Sequence, residues 1–114
     1  MPFDDVLAER IRIAFHTYPE TLRSDITEKK MFGGLAFLLK GKMTIGIIGD
    51  ELVVRVVEEK MEDMLTIESV RAMDFTKKPM KEFIFVSQEA YQSEEELQKW
   101  IALGIEHARR KLKL

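Results

Sequence analysis

The spacing of the apolar runs between residues 28 and 56 restricts the fold more than any other feature. Four short runs there are rich in β-branched and aromatic residues, at residues 29–32, 35–40, 43–48 and 52–56. The later connections are short and contain Gly41 and Gly49. Parallel strands need a crossover of a dozen or more residues, so connections this short are typical of hairpins. The segment therefore predicts an antiparallel meander, with a bulge or sharp bend at Gly33 and Gly34.

Amphipathic segments surround this meander. Apolar residues at helical spacing predict helices over residues 4–18, 58–66 and 93–112, and Ser93 with Glu96 has the spacing of a capping box. Gly104 inside the last helix predicts close packing against the sheet or a partner, unless it is simply a tolerated glycine.

Two more short apolar runs predict that the sheet continues beyond the second helix. They occupy residues 70–73 and 80–86, while the polar residues 20–27 predict a loop. The resulting order, α-β-β-β-β-α-β-β-α, indicates an α+β fold of two layers with helices packed on an antiparallel sheet.

Length and composition bound the class of protein. A chain of 114 residues with 46% hydrophobic and 33% charged residues predicts a single globular domain over residues 1–114. The absence of cysteine excludes disulfides and Cys-ligated zinc. No apolar run is long enough to span a bilayer, and the N-terminus lacks the features of a signal peptide. We therefore expect a cytoplasmic protein without a membrane partner.

Five blocks of residues follow one another in a characteristic order and spacing: residues 31–37 (MFGGLAF), 41–43 (GKM), 52–56 (LVVRV), 73–76 (MDFT) and 78–80 (KPM). Together they resemble one known family, the TfoX N-terminal domain family. The family takes its name from regulators of natural competence, in which this domain precedes a separate C-terminal domain, while many relatives consist of the first domain alone.

The resemblance implies a fold similar to secretion chaperones, which are small proteins that bind other proteins. It brings no established catalytic residues. We expect the first domain alone in this chain, so the competence role of two-domain relatives need not transfer to it.

Residue types suited to catalysis are sparse. His16 and His107 lie near the ends of the terminal helices without a second metal ligand at suitable spacing, so we expect surface or helix-end histidines. The serines lack a nucleophile motif, and Gly33-Gly34 precedes a strand, which does not suit a phosphate loop. The sequence therefore predicts no enzyme, no cofactor and no metal.

Arg55 and Asp74 are charged residues inside otherwise apolar runs. Buried charges need partners, so the two are predicted to form a salt bridge with each other. Strand alternation places Leu52, Val54 and Val56 on one face of the sheet and Arg55 on the other. The pair could be structural, or Arg55 could hold a small anionic ligand in a pocket with Asp74 and the Gly33-Gly34 bend.

Three function hypotheses follow from these residues. The favoured one is a non-enzymatic protein-interaction or regulatory module that binds a protein, or a second copy of itself, through the open sheet face or an edge strand. The second is the small anionic ligand binder at Arg55. The third is weak nucleic-acid contact through basic residues, which the net charge of -2 does not favour. Those basic residues are Lys77, Lys78 and Lys81 in one cluster, and Arg109, Arg110, Lys111 and Lys113 in another.

Overall fold

The computed structural model describes residues 4–31, 33–72 and 82–113, which form one six-stranded sheet with helices packed against it. The helices are α1 (Asp5–Phe15), α2 (Glu20–Arg23), α3 (Glu58–Met64) and α4 (Glu94–Leu112), with a 3-10 turn η1 (Gln88–Ala90). The strands are β1 (Ile26–Met31), β2 (Gly34–Leu39), β3 (Lys42–Ile48), β4 (Glu51–Arg55), β5 (Val70–Ala72) and β6 (Phe83–Val86).

The strands lie in the order β1-β2-β3-β4-β6-β5, and every neighbouring pair is antiparallel. The predicted meander and its extension by two later strands are therefore confirmed. The predicted loop over residues 20–27 is wrong, because residues 20–23 form α2 and β1 begins at Ile26. Strand β1 starts early because it pairs with β2 along its whole length, from Ile26 opposite Leu39 to Met31 opposite Gly34. Pairing with the next strand of the hairpin is not visible in the composition of residues 20–27 alone.

The two faces of the sheet carry different apolar sets. Leu52, Val54 and Val56 belong to the main core with residues of α1 and α4, as strand alternation predicted. The opposite face carries a smaller cluster whose buried members are Ala36, Met43, Val53 and Phe85. Within the described ranges, the helices that contribute to the main core supply none of this second cluster.

Gly104 lets α4 lie directly on the sheet. A Cβ atom at this position would come within 2.6 Å of the carbonyl carbon of Thr44, and closer still to its oxygen. Thr44 is the extra residue where the β2–β3 register shifts, and its hydroxyl donates a hydrogen bond to the Phe37 carbonyl over 2.9 Å. The predicted close packing of Gly104 on the sheet is confirmed.

The bend predicted at the first hairpin is also present. Gly33 has a φ angle of 75°, a left-handed conformation that favours glycine. A Cβ at Gly34 would lie 3.0 Å from the carbonyl carbon of Ile47, so a side chain there would collide with β3. Both glycines thus have a structural reason.

None of the helices in the described ranges is long and apolar enough to cross a membrane.

Candidate binding grooves beside helix α4

A groove of about 830 Å³ runs between α3 and α4 and ends at η1; we call it the α3–α4 groove. Its size lies within the range of roughly 300–1,000 Å³ typical of small-molecule sites. Six of the residues that line it are apolar: Met64, Ile67, Ala90, Trp100, Ala102 and Leu103. Five charged residues surround them: Lys60, Glu89, Glu96, Lys99 and Glu106.

Trp100 and the short helix α3 build this groove. The Trp100 indole N–H donates a hydrogen bond to the Ala90 carbonyl over 2.8 Å, which ties α4 to η1. The opposite wall is α3, a helix of seven residues, none of which is fully buried. Its Met64 side chain is only partly buried against the core. Apolar side chains consequently remain at the surface, and Ile67 is 37% exposed.

The charges at the two ends of the groove differ. At one end the Lys60 ammonium contacts the Glu106 carboxylate at 2.8 Å, so the two charges neutralise each other. At the η1 end, Glu89 accepts a hydrogen bond from the Ser87 hydroxyl at 2.5 Å, which lowers the pKa of Glu89. Glu96 accepts one from the Ser93 backbone N–H in the predicted capping box, and this bond lowers its pKa. The η1 end is therefore acidic at neutral pH.

A polar cluster lies further along α4, formed by Arg55, Glu82 and His107; we call it the His107 cluster. The Nε2 atom of His107 is 2.6 Å from Oε2 of Glu82 and 3.2 Å from Nη2 of Arg55. The guanidinium of Arg55 also lies 4.1 Å from the centre of the Phe83 ring, within cation–π distance. Strand β4, the start of β6 and the second half of α4 thus meet at one polar contact.

Burial determines the protonation of this cluster. Desolvation and the nearby Arg55 charge lower the pKa of His107, although Glu82 opposes them. Burial alone would raise the pKa of Glu82, but the His107 hydrogen bond and the Lys111 and Arg55 charges hold it below its usual value. The arrangement that satisfies both is a neutral imidazole whose Nε2–H donates to an ionised Glu82. Among the described residues, the buried Nδ1 of His107 then has no hydrogen-bond partner.

His107 corrects one sequence prediction. His16 is exposed at the end of α1, as predicted, but His107 is only 2% exposed, so the prediction of a surface histidine there is wrong. Residue 107 follows Trp100 by seven positions and Gly104 by three, which places it on the face of α4 that packs on the sheet. The same apolar stripe that predicted α4 contained this signal.

The residues predicted to form a ligand pocket at Arg55 do not all lie together in the structure. Asp74 lies outside the described residues, so its pairing with Arg55 stays a prediction. Gly33 and Gly34 are not beside Arg55, because Leu35 aligns through Ile47 with Leu52. That position is three residues along β4 from Arg55, about 10 Å, and two strands away from it.

The C-terminal basic residues point in different directions. Arg110 forms an ion pair with Glu59, and the Lys111 ammonium lies 3.7 Å from Glu82 in a groove of about 320 Å³ beside the His107 cluster. Arg109 lines a separate groove that also contains Lys40. Two of the four basic residues in the predicted C-terminal cluster, Arg110 and Lys111, thus face carboxylates of their own chain. Lys77, Lys78 and Lys81 lie outside the described residues.

Within the described ranges, no group of three or more histidine and carboxylate side chains is placed to hold a metal ion. The contacts of His107 to other side chains there reach Arg55 and Glu82, neither of which is a nucleophile of the serine or cysteine type. The arrangement can bind and position other groups, but these contacts supply no nucleophile beside the histidine.

Comparison with known protein families gives one match. A family model described as the TfoX N-terminal domain matches residues 21–108 of the 114 residues. The match includes all six strands and most of α4, and therefore both the α3–α4 groove and the His107 cluster. No curated protein matches the sequence.

Proposed function

The chain belongs to the TfoX N-terminal domain family, and on this premise we propose that it is a cytoplasmic, non-enzymatic regulatory module that holds a protein partner in the α3–α4 groove. The observation that carries the proposal is the row of partly exposed apolar side chains between two helices, surrounded by charged residues. Apolar surface with a polar rim is typical of protein interaction sites.

The shape of the groove supports a macromolecular partner. It is an open trough between two helices, and α4 lines it from Glu96 to Glu106, which corresponds to a length of about 15 Å. An elongated, open trough suits a segment of a protein chain, whereas small ligands are usually enclosed over most of their surface.

The sheet edges support a partner less well. Strand β1 forms one edge, and its exposed residues include Glu28, Lys29 and Lys30. Charged side chains, lysine above all, are a common device against pairing of an edge with another strand. Strand β5 forms the other edge, and its three described residues, Val70–Ala72, offer few backbone groups for pairing. The groove is therefore the better docking surface.

A matched pair of variants tests this site. Ile67 and Ile13 are both exposed isoleucines, 37% and 58%, but only Ile67 lines the groove. We expect tagged wild-type protein and Ile13→Glu to capture the same protein from nuclease-treated lysate, and Ile67→Glu to lose it. The purified partner should then bind Ile67→Glu at least about tenfold more weakly, because one charge would be desolvated in an apolar site.

Two other results would contradict the proposal. Equal loss with both variants would move the docking site away from the groove. Capture of nucleic acid alone, or of anionic metabolites that raise the unfolding temperature, would favour the basic residues or Arg55 instead.

A further inference from the structure

Resting on the proposed function, we infer that the occupant of the α3–α4 groove is an amphipathic helix with basic residues at one end. The groove combines a length, an apolar floor and an uneven charge distribution, and each property restricts the occupant.

The length and apolar floor determine the secondary structure of the occupant. Along α4 the groove is lined by residues at helical spacing, including Trp100 and Leu103, over about 15 Å. A guest helix covers this distance in about ten residues, or three turns, and places apolar anchors at i, i+3, i+4 and i+7. An extended strand would need a row of unpaired backbone groups. The walls of this groove are instead helices and a turn, in which the described backbone bonds run along the helices or to other groups of the protein. A helix satisfies its own backbone and leaves only side chains to be accommodated.

The charges determine the orientation of the occupant. Lys60 and Glu106 are paired at one end, which leaves little net charge there. At the η1 end Glu89 and Glu96 both remain ionised, against Lys99 alone among the groove residues. The dipole of α4 accounts for an acid in its first turn, but Glu89 lies in η1. Lysine or arginine of the occupant therefore belongs at the η1 end.

The chain carries its own reporter for this test. Trp100 is the only tryptophan and lines the groove, so its fluorescence responds to an occupant directly. The probes are synthetic amphipathic helices of about 14 residues with leucine at i, i+3, i+4 and i+7. One carries two lysines at one end, a second carries glutamates in their place, and a third has the composition of the first in scrambled order.

We expect the lysine peptide to shift the Trp100 emission and to bind about three- to fivefold more tightly than the glutamate peptide, a difference that salt should reduce. The Glu89→Lys variant should reverse this preference. The matched control is Glu95→Lys, which changes an exposed residue of α4 outside the groove and should leave the preference unchanged.

Equal binding of the scrambled peptide, or equal affinity for the lysine and glutamate peptides, would overturn the inference. A natural partner that is lost with Ile67→Glu while no helical peptide binds would also overturn it, but would leave the proposed function standing. Failure of both experiments would reject both.

Discussion

The α3–α4 groove and the His107 cluster both involve helix α4, but they differ in which side chains are exposed and which are buried. In the groove, apolar side chains such as Ile67 and Met64 remain partly exposed, although burial would stabilise the fold. In the His107 cluster, the polar His107 is buried and the charged Arg55 is partly buried, although burial of charge is costly.

On our proposal the groove is a surface for binding, whereas the His107 cluster is a contact within the fold. In the cluster, His107 Nε2 and the Glu82 carboxylate bond to each other, and the buried side chain of His107 leaves little of this contact open to an external molecule. In the groove, some of the apolar side chains remain partly exposed between the two helices. Exposed apolar area of this kind is typical of interaction surfaces. Variants that affect one region and spare the other test this division.

The largest effect should come from Gly104→Ala, which lies on α4 between the two regions. Alanine favours a helix by about 1 kcal/mol, but its Cβ would collide with the Thr44 carbonyl, so we expect a net loss of about 2 kcal/mol or more. Urea unfolding followed by circular dichroism measures this change. Ala102→Gly, at an exposed position of the same helix, is the control and should cost only about 1 kcal/mol. A Gly104→Ala variant as stable as wild type would show that α4 is not held tightly on β3.

A medium effect should appear in the pH dependence of His107→Gln. In the unfolded chain His107 regains its usual pKa of about 6.5, whereas in the folded protein burial lowers that pKa. The unfolded state therefore binds more protons as the pH falls below about 7, and the free energy of unfolding of the wild type should decrease in that range. Unfolding at pH 7 and pH 5 measures the slope, which should be smaller in His107→Gln.

The matched control for this experiment is His16→Gln, which replaces the exposed histidine at the end of α1. It should keep the wild-type slope between pH 7 and pH 5. If His107→Gln also kept that slope, the cluster would not be a source of the acid sensitivity.

The smallest effect should follow Arg110→Ala, which removes the surface ion pair with Glu59. Exposed pairs of this kind are screened by water and salt, so the urea midpoint should stay within experimental error. The variant should also bind the partner normally, because Arg110 does not line the α3–α4 groove. A clear loss of binding would extend the interaction surface beyond the groove toward the His107 cluster.

Local patterns predicted most of the fold. Each of these patterns spans only a few residues: the capping box at Ser93, the hairpin glycines, and the alternation of Leu52, Val53 and Val54. The local structure that each produces can therefore be predicted directly from the sequence. The start of β1 was missed because it depends on pairing with β2, not on its own composition.

The candidate sites could be predicted far less well. The groove takes its residues from α3, η1 and α4, and no single segment contains its pattern. Arg55 was recognised as an unusual charge, yet its contact with His107 joins residues 52 positions apart. His107 is buried instead of lying at the surface because Gly104 lets this part of α4 pack directly on the sheet.

The sequence by itself therefore determined the fold class and the family: an α+β fold of the TfoX N-terminal type, with an antiparallel meander and a final helix that begins in a capping box. Only the tertiary structure decided which apolar residues stayed at the surface and which charged residues were buried. The physical reason is that periodicity and caps act over a few residues, whereas grooves and buried polar contacts arise where distant segments pack together.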